Sequence, residues 1–128
     1  MPRTPSKIFT DREMEIMRVI WELGEASAKQ IQSRLPGDRH YNSVMTIIRV
    51  LEKKSHLTHR EEGRTFIYRP TESRRKAHTR VLKHLVKQVF GGSAASLVLN
   101  LVETGDLTRE DLDAIRRKLA SRQDRGKR

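Results

Sequence analysis

The chain's 128 residues carry 27 lysines and arginines against 16 acidic side chains, a net charge of +11, with 35% hydrophobic and 5% aromatic residues. A chain of this size builds one ordinary domain or two small ones, and so few aromatics line a thin core without a deep substrate cavity, which excludes a large enzyme. The absence of cysteine removes disulfides, thiol nucleophiles, cysteine-ligated zinc and iron–sulfur clusters, while the charge excess points to a polyanion, either nucleic acid or an anionic membrane surface.

The first predicted helix opens at Thr10-Asp11-Arg12-Glu13, where the Thr hydroxyl and the Glu carboxylate satisfy each other's backbone N–H groups in a capping box. Met14, Ile16, Met17, Val19, Ile20, Trp21 and Leu23 form its apolar face, which makes Trp21 a core residue, and Gly24 ends it. Ser27-Ala28-Lys29-Gln30 repeats the capping pattern for a short second helix carrying Ala28, Ile31 and Leu35, closed by Pro36-Gly37. The third helix is expected to begin near Asn42 or Ser43 and to reach Lys54, with Val44, Ile47, Ile48 and Leu51 turned inward. Its outer face holds Asn42, Ser43, Met45, Thr46, Arg49, Glu52 and Lys53; hydroxyl, thioether and guanidinium groups are what base edges and phosphates can use, whereas an ordinary solvated face carries Glu/Lys pairs. Arg49 is the strongest of these, reaching a guanine or a phosphate, unless it is spent in a surface salt bridge with Glu52 or Glu13.

Leu57–Arg60 and Thr65–Arg69 are short β-prone runs separated by Glu61-Glu62-Gly63-Arg64, a hairpin in which Gly63 can take positive φ. Three helices followed by a hairpin spell a winged helix–turn–helix, whose wing offers Arg60, Arg64 and Arg69 to a phosphate backbone or a minor groove. His56 and His59 fall at the helix-to-wing junction, and His78 and His84 lie off a common helical face, so no shared metal site is expected. Asp38 and His40 have neither a nucleophile nor a glycine-rich phosphate loop nearby, and no catalysis is expected.

From Thr71 to Phe90 a long helix carries Val81, Leu82, Leu85, Val86, Val89 and Phe90 in one stripe and ends at Gly91-Gly92. Ser93 caps a short helix with Leu97, Val98, Leu99, Leu101 and Val102, apolar nearly all round; its longest run stops at Asn100, too short for a membrane span. The last helix opens at Thr108-Arg109-Glu110-Asp111 and shows Leu112, Ile115 and Leu119. Three short helices with this much apolar surface are best covered by a second copy, which predicts a homodimer through Leu82, Leu85, Val86, Val89, Leu97, Val98, Leu101, Leu112 and Ile115. The fold class expected is therefore mainly α with a small β-hairpin. Residues 1–70 form the winged-helix DNA-binding domain, 71–120 a helical dimerisation domain, and 121–128 a disordered basic tail.

Four passages resemble the BlaI/MecI-type penicillinase repressors, which have copper-responsive CopY-type relatives: Thr10–Trp21, Tyr41–Lys54, Gly63–Pro70 and Ser96–Glu103. Together they span about residues 8–120. The resemblance implies a cytoplasmic repressor of a small regulon that binds double-stranded DNA at a pseudo-palindromic operator, needs no cofactor and inserts into no membrane. It also implies release from DNA when a membrane sensor protease signals cleavage in the segment Leu99-Asn100-Leu101-Val102. Relatives usually carry Asn followed by Phe there, whereas Asn100 precedes Leu101. Without cysteine, the copper-sensing cluster of the CopY-type relatives is absent. On the residues alone two further readings stay open: a non-specific architectural or RNA-binding basic protein, and a protein-interaction adaptor whose winged helix binds no nucleic acid.

Overall fold

In a computed structural model, which describes residues 9–126 and side chains as far as 123, α1 (Asp11–Leu23) opens with the expected capping box. Thr10 Oγ1 accepts from the Glu13 N–H, and Glu13 Oε1 accepts from the Thr10 N–H at 2.8 Å. Ser27 and Gln30 make the same exchange at the start of α2 (Ala28–Arg34). Between these helices lies a strand the sequence did not reveal, β1 (Ala26–Ser27), too short for any period-2 signal.

Helix α3 (Tyr41–Lys53) starts one residue before Asn42, near where it was expected, and its N-cap His40 makes no side-chain capping bond. The preceding loop is held by tertiary bonds instead: Gln32 Nε2 donates to the Arg39 carbonyl at 2.7 Å, and Arg39 pairs with Glu15 at 2.7 Å. Asn42 is thereby left in the first turn, where its carbonyl accepts from Thr46 Oγ1.

The hairpin of β2 (Leu57–Glu62) and β3 (Thr65–Pro70) runs longer than expected, and β1 adds to its outer edge to give an antiparallel order β1-β3-β2. Tyr68 stands opposite Ala26 on one side and His59 on the other. Gly63 has φ 65° at the first central position of the two-residue turn, the residue that a II′ hairpin requires to be glycine-like.

Ile16, Met17, Ile20, Ile31, Val44, Ile48 and Leu51 are almost wholly buried, with Leu57 and Tyr68 closing the core from the sheet. At roughly 1.5–3 kcal/mol for each large aliphatic side chain removed from water, this cluster outweighs any single polar contact in the fold. Element order, sheet and core together make a winged helix, mainly α with a small β-hairpin.

Helix α4 (Arg74–Val89) begins three residues later than the sequence pattern suggested, capped by Ser73, because Thr71 is committed elsewhere. Thr71 Oγ1 donates to the Ser55 carbonyl at 2.7 Å and its N–H to the His56 carbonyl at 3.1 Å. The chain divides into two compact units at His84/Leu85, inside α4, rather than at Pro70. The start of α4 belongs to the first unit: Ala77 is fully buried, Trp21 Nε1 donates to the Glu72 carbonyl, and the Trp21 ring meets His78 edge-on.

The second unit contains the end of α4, α5 (Ala94–Glu103) and α6 (Arg109–Gly126). Thr108 and Asp111 exchange capping bonds at the head of α6. That helix continues past Ser121, where the sequence reading begins a disordered tail, since neither glycine nor proline interrupts it before Gly126. Residues 127 and 128 of that expected tail lie outside the described residues.

Candidate nucleic-acid interface

Helix α3 buries Val44, Ile48 and Leu51, so the opposite stripe, at spacings of four, three and four, is Asn42, Thr46, Arg49 and Lys53. All four are exposed. Neither salt bridge considered for Arg49 forms: Glu13 accepts from Lys54 at 2.8 Å, and Glu52 bonds Nδ1 of His59. Burial alone raises the Glu13 carboxyl, but hydrogen bonds from Lys54 and Thr10 outweigh it and hold the group below the ordinary range, as an anion. Among the described residues, no carboxylate pairs with Arg49, Lys53 or Arg64, so their charges face solvent uncompensated.

The wing is tied down on both faces. Arg60 donates to both oxygens of Glu25, at 2.6 and 2.9 Å, and to Glu62 at 3.0 Å. These bonds raise the guanidinium's pKa further and lower that of Glu25. Arg60, expected beside Arg64 on a phosphate, braces the wing against the turn after α1. On the other face His59 stacks on Phe66 with centroids 4.4 Å apart while bonded to Glu52 of α3. His56 has gone elsewhere, buried against Phe9, so the two junction histidines share no site.

An open groove of about 540 Å³ runs between α3 and β3, with the start of α2 at one end. It gathers Met45, Arg49 and Arg64 from the expected set and adds Lys29, Tyr41, Phe66 and Tyr68. Asn42, Ser43, Thr46 and Lys53 lie on the adjoining outer face of α3 and do not line it. Burial, then the neighbouring Glu52 and Tyr41, push the Tyr68 phenol above its ordinary value, so it stays protonated and uncharged. Sequence periodicity could not reveal that Tyr41 and Phe66 line one groove, because they lie on different elements, α3 and β3, 25 residues apart.

Of the residues expected in a dimer interface, Leu82, Leu85, Val89, Val98 and Ile115 are exposed and Val86, Leu97, Leu101 and Leu112 are half-buried. Leu99, Val102 and Leu119 add to the exposed apolar surface. Among the described residues, no three His, Cys, Asp or Glu side chains approach closely enough to hold a metal ion, and no single helix is long and apolar enough to cross a membrane.

Comparison of the sequence with known proteins shows its family. The chain is 27% identical over 122 residues to the penicillinase repressor of Bacillus licheniformis, covering 93% of this chain and 94% of that protein. It is 28% identical over 110 residues to the methicillin resistance regulatory protein MecI of Mammaliicoccus sciuri, covering 84% and 89%. A solved structure described as a zinc-responsive MarR family member, Lactococcus lactis ZitR, superposes with a TM-score of 0.44 at 14% identity, over 98% of this chain and 81% of that one. The model of the penicillinase repressor family matches residues 9–121. The chain belongs to the penicillinase repressor family.

Proposed function

We propose that this member of a transcriptional-repressor family binds a pseudo-palindromic operator as a homodimer, with α3 in the major groove and the wing on the flanking backbone. The observation that carries the reading is the outer stripe of α3, Asn42, Thr46, Arg49 and Lys53, polar or cationic throughout and free of carboxylate partners beside a preformed wing. Asn42, Ser43, Met45, Thr46 and Arg49 face base edges, and Lys53 and Arg64 face phosphates; Arg60 contributes charge from its brace. Two recognition helices related by a two-fold axis meet half-sites separated by multiples of ~10 base pairs.

Release follows from loss of the dimer. Between Leu85 and Gln123 every described side chain is at least partly exposed, which leaves this unit dependent on a second copy to cover its leucines and valines. Cleavage at Asn100–Leu101, in the middle of α5, by a partner protease would destroy that surface and separate the half-site contacts.

Footprinting of the purified protein across genomic DNA tests the first part. A specific repressor protects a few sites with affinity ~10³–10⁷ above random duplex, whereas protection without preference refutes sequence-specific repression. At the footprinted site Arg49→Ala should cost ~1–3 kcal/mol and relax preference at one base pair. Equal losses on cognate and random duplex would move Arg49 to the backbone.

A further inference from the structure

The groove between α3 and the wing alternates charge and apolar surface in a way that neither the base-reading stripe nor the dimer surface requires. Tyr41, Met45 and the base-reading Arg49 line its α3 side, Phe66 the β3 side, and the cations Lys29 and Arg64 enter from α2 and the hairpin turn. Phe66 is 41% exposed and Tyr41 43%, unusual for aromatic rings in a chain with so few. No carboxylate lines the groove, and of the acidic groups around it Glu25 and Glu62 are spent on Arg60 and Glu52 on His59, which leaves Glu61. Lys29 and Arg64 have no such partners among the described residues. The stacking of His59 on Phe66, anchored to Glu52, fixes the spacing between wing and helix before any ligand arrives.

We propose that this groove seats one sugar–phosphate strand of the bound duplex, with Lys29 and Arg64 on successive phosphates, the Tyr41 hydroxyl donating to a phosphate oxygen, and Phe66 against deoxyribose carbons. The assignment rests on the DNA-binding reading and adds Lys29, Tyr41 and Phe66 to it. A small inorganic anion has no use for the apolar walls, and an apolar ligand has none for three uncompensated cations, Lys29, Arg49 and Arg64. A phosphodiester strand presents both, alternating at each nucleotide. Because the contacts are to backbone, they position the protein and carry no base preference. Glu61, opposite Phe66 in the hairpin register, is the wing carboxylate left without a partner among the described residues, and it repels the same strand.

The test measures dissociation constants of the full-length protein for fluorescently labelled duplexes, one carrying the footprinted site and one random, across a series of salt concentrations. Lys29→Ala and Arg64→Ala should each weaken both duplexes by the same factor and reduce the slope of log affinity against log salt by about 0.9 per protomer. Phe66→Ala should weaken both equally and leave the slope unchanged, and Glu61→Gln should tighten both. Lys83→Ala, an exposed cation of α4, serves as the control and should alter nothing; thermal melts verify that each variant is folded. Losses confined to the specific duplex, with an unchanged slope for Lys29→Ala and Arg64→Ala, would make the groove a base-reading surface and overturn the proposal. Unaltered binding by the groove variants would overturn it while leaving DNA recognition by α3 intact. A wild-type protein that binds neither duplex would overturn both.

Discussion

His56 is buried, and its Nε2 is the one buried side-chain polar atom without a hydrogen-bond partner among the described residues. The imidazole lies 4.5 Å from the Phe9 ring, where α1, the end of α3 and the start of α4 converge. The charged groups facing it are already paired, Glu13 with Lys54 and Glu72 with Arg80, so no carboxylate is free to receive a proton held on His56. Burial, then Arg80, pushes its pKa below the ordinary 6.5. In the window between that lowered value and 6.5 the unfolded chain binds the proton and the folded chain does not. Stability therefore falls as pH drops below about 6.5, by no more than about 1.4 kcal/mol per pH unit from this one group. Urea unfolding of wild type and His56→Phe at pH 7.5 and 5.5 checks this. The variant should lose less stability on acidification than wild type, whatever its absolute stability; an equal loss would assign the acid sensitivity to other groups.

Element boundaries divide by the range of the forces that set them. The capping boxes at Thr10 and Ser27 and the exchange at Thr108 were legible because donor and acceptor lie three residues apart. Thr10→Ala should accordingly cost ~1 kcal/mol of global stability in denaturant titration. The start of α4 was not legible, since Thr71 with Ser55 is a pairing across 16 residues. The same division runs through the site. Arg49 and Arg64 could be read from a helical stripe and a hairpin turn, whereas Lys29, Tyr41 and Phe66 come from three elements, α2, α3 and β3, that only the tertiary fold sets around one groove. The Arg60–Glu25 pairing was not legible for the same reason, since the two residues lie 35 apart in the chain. The Arg60 charge is already shared by two carboxylates, so Arg60→Ala should weaken duplex binding less than Arg64→Ala does. A larger loss for Arg60→Ala would mean that the brace itself holds the wing on DNA.

At the scale of the whole molecule, the units differ in how far each meets its own need for burial. The first has a full core, while between residues 85 and 123 no described side chain is fully buried, with Leu99 62% and Val89 60% exposed. Division at His84 rather than Pro70 changes the expected fragment: ending the chain at Pro70 would remove Glu72, Ala77 and His78 from around Trp21. A fragment of residues 1–84 should fold, with the fluorescence of its single tryptophan matching that of the full chain, whereas one of residues 1–70 should be less stable and show solvent-exposed emission. By sedimentation the full chain should be dimeric at micromolar concentration and the 1–84 fragment monomeric. Because a dimer holds its second half-site contact at an effective concentration in the mM range, the fragment should lose affinity for a full operator by far more than for a half-site. Cleavage at Asn100–Leu101 should reproduce that loss. The bond lies within a regular helix, where the Asn100 carbonyl accepts from Thr104 and the Leu101 carbonyl from Asp106, so α5 must unwind locally before a protease can seat it. Cells derepressed by a cell-wall-active β-lactam should then contain a fragment ending near Asn100 on immunoblots. Full-length protein persisting through confirmed derepression would show that the operator is released without cutting, and a monomeric full-length chain binding a whole operator no better than a half-site would remove the dimer as the target of release.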